Sequence, residues 1–240
     1  MKFTILYQDD DIAVINKPAG LLSVPDRYDP EVPSLSHLLS KRIDGVALPV
    51  HRLDRPTSGV VIFAKNTEAQ RSLSMQFEER TVEKIYQAIV DGRPSDPTGL
   101  IDQPLAPHPS KLGKMIISNK GKKSQTKYVV TDFFGSYSLV ELELLTGRTH
   151  QIRVHLAYLG HPLMVDPFYG NRKEFMLSSL KRRKYNLKKG ETERPLLSRV
   201  PLHAGRLSIN HPTTGERMTF EAEMPKDMRA TVAQLRKFKG

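Results

Sequence analysis

Val60-Val61-Ile62-Phe63-Ala64 is the stretch that most constrains how this chain can fold. The run is short, β-branched and aromatic, and the turn-prone Lys65-Asn66-Thr67 closes it, so it predicts a buried strand. His51-Arg52-Leu53-Asp54-Arg55-Pro56-Thr57-Ser58-Gly59 leads into it. Pro56 fixes one φ angle and Gly59 permits a positive one, so this lead-in predicts a tight loop feeding the strand. Asp54 stands in that loop with guanidinium groups on either side, at Arg52 and Arg55. A nearby arginine favours the ionised carboxylate. A carboxylate kept charged on a rigid loop meets the needs of a nucleophilic aspartate. By spacing alone, the same residues also fit an ordinary charged loop.

Around this centre the pattern alternates between strand and helix. Strands are predicted at 4–7 and 12–16, broken by Lys17-Pro18-Ala19-Gly20, and a helix at 34–43 with Ser34 as N-cap. A second helix is predicted at 67–77, capped by Asn66 or Thr67, and a strand at 84–90. Residues 113–123 read as a hairpin tip, and 125–130 and 138–145 as strands. The second of these alternates Leu139, Glu141, Glu143 against Val140, Leu142, Leu144, which gives it one wet face. Residues 149–159 form the clearest helix, with Thr149 as N-cap and Gly160 just past the end. Its stripe of Ile152, Leu156 and Leu159 leaves Arg153 on another face, pointing out of the core. A hairpin at 205–221 and a helix at 226–238 complete the chain.

The 240 residues contain no Pro/Gly/Ser-rich linker, which predicts a single domain over 1–240. There is no cysteine, so disulfides, thiolate nucleophiles and Cys-based zinc sites are excluded. No apolar run is long enough to span a membrane and no signal-peptide core is visible, which predicts a cytoplasmic protein. The net charge of +11 points to a polyanionic partner. The basicity lies in two segments. Residues 110–127 hold lysines at 111, 114, 120, 122, 123 and 127 with no acid, and 171–200 hold ten Lys/Arg against three glutamates. His150 and His155 lie five apart, about 140° around a helix, and so cannot share a metal. No phosphate-cradling loop, dinucleotide fingerprint or nucleophile elbow is present, so neither cofactor nor metal is expected.

The loop His51-Arg52-Leu53-Asp54-x-x-Thr57-Ser58-Gly59 resembles the signature of the RluA family of pseudouridine synthases. Four further segments resemble family elements in the expected order: Asn16-Lys17-Pro18-Ala19-Gly20-Leu21-Leu22, Lys84-Ile85-Tyr86, the block from Thr146 to Leu156, and Leu202-His203-Ala204. The block from Gly160 to Gly170 is similar too, but has Val165 where the family usually has glycine, and Pro201 before Leu202 is unusual.

The resemblance implies a pseudouridine synthase fold: mixed α/β (α+β), with a largely antiparallel central sheet, flanking helices and the active site in a basic cleft. It implies an isomerase that flips a uridine out of RNA. Asp54 would be the catalytic residue, Arg153 its charge partner, and Tyr86 the aromatic face under the base. Arg52 would fill the place the base leaves. Among the other polar motif positions, His51, Arg55, Thr57, Lys17, Arg148, His150 and Gln151 are expected to bind substrate. The implied branch lacks an S4 domain, resembles RluA or TruC sequences, and acts as a monomer on 23S ribosomal RNA, a tRNA anticodon stem-loop, or both. A tRNA-only synthase of the TruC type is the alternative. A catalytically idle RNA-binding protein on the same scaffold, and an unrelated hydrolase pairing Asp54 with Asp166, complete the alternatives.

Overall fold

The computed structural model describes residues 2–43, 45–181, 190 and 192–238. In chain order the first elements are β1 (Thr4–Gln8), β2 (Ile12–Lys17), α1 (Leu35–Ser40), β3 (Leu48–Pro49), β4 (Ser58–Ala64), α2 (Thr67–Glu79) and β5 (Glu83–Asp91). Next come β6 (Thr98–Asp102), β7 (Leu105–Pro107), β8 (Met115–Ile117), β9 (Gln125–Phe133) and β10 (Tyr137–Leu144). The last are α3 (Gln151–Tyr158), α4 (Ser178–Lys181), β11 (Leu202–Asn210), β12 (Arg217–Glu221) and α5 (Lys226–Lys237). The fold is mixed α+β with largely antiparallel strand pairing.

The chain divides into two compact units, Met1–Tyr86 with His203–Glu223, and Gln87–Leu202 with Met224–Gly240. No linker composition marks the division: the chain changes unit within β5, at the start of β11, and between Glu223 and Met224 in the short connection from β12 to α5.

In the first unit, β2 pairs antiparallel with β1 on one side and β4 on the other. All seven residues of β4 are buried, as its unbroken apolar run predicts. Ile12, Val14, Val60 and Ile62 pack with Ala69 and Leu73 of α2 and with Leu207 and Ile209 of β11. Asn66 caps α2 by accepting the Ala69 N–H at 2.8 Å, and Ser34 caps α1 by accepting from His37 at 3.4 Å. Gly59 lies inside β4, where a short parallel ladder sets Ser58 and Gly59 against His203 and Ala204 of β11. Its φ is +118°, and a Cβ there would stand 2.1 Å from the Ala204 carbonyl oxygen. Glycine is required by that close approach as well as by its backbone angle.

The second unit is built on β6, β9 and β10, all antiparallel. β10 alternates buried and partly exposed residues as its sequence predicts. Met164, Val165 and Phe175 pack with Met228, Val232 and Leu235 of α5, so Val165, the departure from the family block, is a core side chain.

Two local expectations change. The basic hairpin is β7 paired with β8, so its tip is 108–114 rather than 113–123. Helix α3 starts at Gln151, and the N-cap position belongs to His150 rather than Thr149. His150 is left-handed (φ 55°) and makes no side-chain cap, a conformation that capping propensity does not anticipate. In the basic segment 171–200, residues 182–189 and 191 lie outside the described residues.

Candidate active site

Asp54 is half-buried in a tight turn closed by the Thr57 N–H donating to the Asp54 carbonyl at 3.0 Å. The turn is fixed on both sides of Asp54 by the segment that follows β2. Before it, Ser23 Oγ donates to the Leu53 carbonyl (2.9 Å) and accepts the Leu53 N–H (3.0 Å). After it, the Gly20 N–H donates to the Arg55 carbonyl (2.7 Å), and Arg55 Nε returns a bond to the Gly20 carbonyl (3.1 Å). Lys17, fully buried, donates from Nζ to the carbonyls of Leu21 (2.7 Å), Pro18 (3.1 Å) and Arg55 (3.4 Å). An ammonium with three tetrahedral donors suits converging carbonyl dipoles. At the loop's exit, His203 Nε2 donates to the Ala222 carbonyl, which leaves Nδ1 to accept the Ser58 hydroxyl, each at 3.0 Å.

Tyr86, near the middle of β5, is a buried phenol in the same unit. Burial raises its pKa well above the ordinary tyrosine value, and the charge of the Asp54 carboxylate raises it further. Tyr86 is therefore a neutral hydroxyl within the electrostatic reach of Asp54.

His51 stacks on Phe77 with ring centroids 4.6 Å apart, and its Nε2 accepts the Ile62 N–H at 3.1 Å. Loss of hydration, with the Lys84 ammonium adding to it, lowers the His51 pKa to about 3, so the ring is neutral at physiological pH.

In the second unit, Arg153 is 4 % exposed and Asp166 1 %, and they form a two-pronged ion pair. Arg153 Nε donates to Asp166 Oδ2 at 2.7 Å and Nη2 to Oδ1 at 2.8 Å. Asp166 Oδ1 also accepts the backbone N–H groups of Phe168 (2.9 Å) and Tyr169 (3.2 Å). The Phe168 and Tyr169 rings lie 5.5 and 5.0 Å from the guanidinium carbon. The Tyr169 hydroxyl accepts the Met115 N–H of β8 at 2.8 Å and meets His150 Nδ1 at 2.9 Å. The turn Asp166–Gly170 thus holds Arg153 and joins the basic hairpin to the start of α3. Arg153 is consequently a buried residue and not the outward one that the helical stripe predicts. Nor does Asp166 offer itself as the second acid of a hydrolase, because both its oxygens are engaged by Arg153.

On the basic hairpin and just beyond it, Lys111, Lys120, Lys122, Lys123 and Lys127 are exposed, Lys127 facing Glu143 at 3.2 Å. In the other basic segment two arginines are committed to carboxylates, Arg172 to Asp91 (2.5 Å) and Arg199 to Asp227 (2.6 and 2.8 Å).

A family profile described as RNA pseudouridylate synthase matches residues 11–158. The chain belongs to that family. It is 40 % identical over 220 residues to the dual-specificity RNA pseudouridine synthase RluA of Escherichia coli, covering 91 % of each chain. It is 38 % identical to the ribosomal large subunit pseudouridine synthase D of Vibrio parahaemolyticus, covering 97 % of this chain and 70 % of that one. A 41 % identical RNA pseudouridine synthase of Chloroflexus aurantiacus is longer, and this chain spans 65 % of its length. Among solved structures, human RNA pseudouridylate synthase domain containing 4 is similar, with a TM-score of 0.74 at 29 % identity over 97 % of this chain and 92 % of that one.

Within this RNA pseudouridylate synthase domain, the motif residues divide by exposure. Arg52 is exposed, with no hydrogen bond or ion pair among the described residues. Arg55 is exposed but tied to Gly20, and Arg148 donates from Nε to the Lys123 carbonyl at 3.3 Å. Lys17, Thr57 and Gln151, expected at the substrate, are turned inward. The Gln151 amide accepts from Thr146 Oγ1 and the Arg148 N–H and donates to the Gln125 carbonyl and Thr126 Oγ1, so it braces the 146–151 turn. Thr57 Oγ1 is buried without a hydrogen-bond partner among the described residues. Sequence reasoning missed Ser23, and it considered Asp166 only as a second acid beside Asp54 and not as the partner of Arg153. Ser23 directly follows one family-like block and Asp166 lies within another, but their roles depend on partners 30 and 13 residues away.

Proposed function

We propose that this RNA pseudouridylate synthase isomerises defined uridines in 23S ribosomal RNA, a tRNA anticodon stem-loop, or both, with Asp54 as the reacting carboxylate. The observation that carries this reading is the pinned loop: hydrogen bonds hold Leu53 and Arg55, the residues either side of Asp54, to one segment. A carboxylate fixed in this way loses little orientational freedom when it meets the sugar. The reaction exchanges the N1–C1′ bond of the nucleotide for a C5–C1′ bond, with a proton gained at N1 and one lost from C5. The product is an isomer and no redox partner is consumed. Tyr86 supplies an aromatic face and a neutral hydroxyl. The assignment of Arg153 as the cation opposite Asp54 rests on the family resemblance and on its permanent charge.

The target base must leave its stack, at a cost of a few kcal/mol. Exposed Arg52 fits the role of filling the vacated place, since a guanidinium plane stacks on bases. Arg55, Arg148 and His150 are assigned to substrate binding from the family resemblance, and the exposed lysines of the hairpin segment suit contacts to RNA phosphates. The names of two relatives, a ribosomal large subunit synthase and a dual-specificity RNA synthase, support ribosomal RNA and more than one kind of RNA substrate. We assign the protein to the cytoplasm, as a monomer; no described helix is long and apolar enough to cross a membrane.

The test is incubation with unmodified tRNA and 23S-fragment transcripts, followed by pseudouridine mapping. Product at defined uridines, lost in Asp54→Asn with RNA affinity within a few-fold of wild type, is the expected result. Equal loss of product and binding would make Asp54 structural. Tight binding with no product on either RNA would favour an idle scaffold.

A further inference from the structure

Arg153 is held by more contacts than a charge partner for a single carboxylate requires. Its helix leaves it buried, and a turn that begins eight residues after α3 closes on it from several sides. Two parallel N–H···O bonds to Asp166 fix the plane of the guanidinium. The Phe168 and Tyr169 rings lie against it. Asp166 is itself held by two backbone N–H groups of its own turn, and the Gly170 N–H donates to its carbonyl at 2.9 Å. A guanidinium carries five N–H donors in a rigid fork, and Asp166 takes those on one edge. The fork's remaining direction is then set by Asp166, not by the flexible arginine stem.

We propose that Asp166 is a positioning residue for the isomerisation: it aims Arg153, and Phe168 and Tyr169 support that aim. The proposal rests on the reading above, in which Arg153 serves Asp54. Asp166 touches no reacting atom. Its effect passes through Arg153, and removing it should cost rate while leaving RNA binding nearly intact. Misplacement of a catalytic group by about 1 Å costs on the order of 100-fold.

The test uses whichever transcript the full-length protein modifies, with single-turnover rate, RNA Kd and Tm measured for Asp166→Asn, Arg153→Lys and the double variant. Asp166→Asn should lose about 100-fold in rate with Kd within about threefold. In the Arg153→Lys background, the same substitution should cost almost nothing further, because the group it aims has already lost its fork. Multiplying losses in the double variant, or a Kd that worsens in step with rate, would overturn the proposal. Should Asp166→Asn fail to fold, Phe168→Leu removes one supporting ring at a half-exposed position. A fall of roughly fivefold in rate at unchanged Kd is expected there, and an unchanged rate overturns the proposal. If Asp54→Asn still forms product, the underlying reading fails. If Asp54→Asn is inactive and the Asp166 and Arg153 effects multiply, only this inference fails.

Discussion

Lys17 in the first unit and Arg153 in the second are both cations withdrawn from water, and the fold accommodates them differently. Lys17 gives its three protons to backbone carbonyls and gathers a turn around a point charge. Arg153 has its plane fixed by two bonds to one carboxylate, with two rings packed near it. The first arrangement fixes the course of the backbone and the second fixes the direction of a side chain. Lysine suits the one and arginine the other, and the two are not interchangeable.

The largest effect expected is from Asp54→Asn, which should abolish pseudouridine while the protein melts as wild type does. A loss of Tm on the scale of a core substitution would mean that the loop depends on the carboxylate for its shape. Next, Lys17→Met should destabilise the protein by about 3 kcal/mol in urea titrations, because buried carbonyls lose their donor. Lys17→Arg should likewise lower Tm, whereas Arg153→Lys should lower single-turnover rate more than Tm. The reverse pattern would break the comparison.

A smaller, pH-dependent effect belongs to His51. Its folded pKa of about 3 lies below the ordinary 6.5, so the unfolded chain binds the proton more readily. The stabilisation is complete above pH 6.5 and is lost as pH falls from there towards 3. The urea midpoint of wild type should therefore drop between pH 7 and pH 5, and His51→Gln should flatten part of that drop. The smallest effect is Ser23→Ala, about 1 kcal/mol, from the two bonds to Leu53. A loss of rate exceeding the loss of stability would show that this clamp sets the position of Asp54 as well as the fold.

Much of the fold was legible because it follows local rules. Asn66 and Ser34 announce their helices, and the unbroken run of β4 and the alternation of β10 announce their burial. What escaped was non-local. A stripe of Ile152, Leu156 and Leu159 says which face of α3 is greasy, but a carboxylate arriving from the 166–170 turn makes the neighbouring face interior too. Lys17, Thr57 and Gln151 looked like substrate contacts because polar residues in a motif invite that reading. Their partners are backbone groups and side chains that no spacing in the sequence reveals, or, for Thr57 Oγ1, none among the described residues. His150 replaced Thr149 at the helix start because a left-handed residue can end a turn without capping anything.

The parallel match of Gly59 to Ala204 has a consequence for how the protein is made. The loop bearing Asp54 is latched at its exit by a strand that leaves the ribosome some 145 residues later. Contacts so distant in sequence are slow to form. On a translating ribosome the 87–202 stretch of the second unit is complete before β11 can dock, so the catalytic loop is among the last parts of the molecule to lock. A nascent chain therefore exposes its basic hairpin to surrounding RNA before it acquires a finished active site.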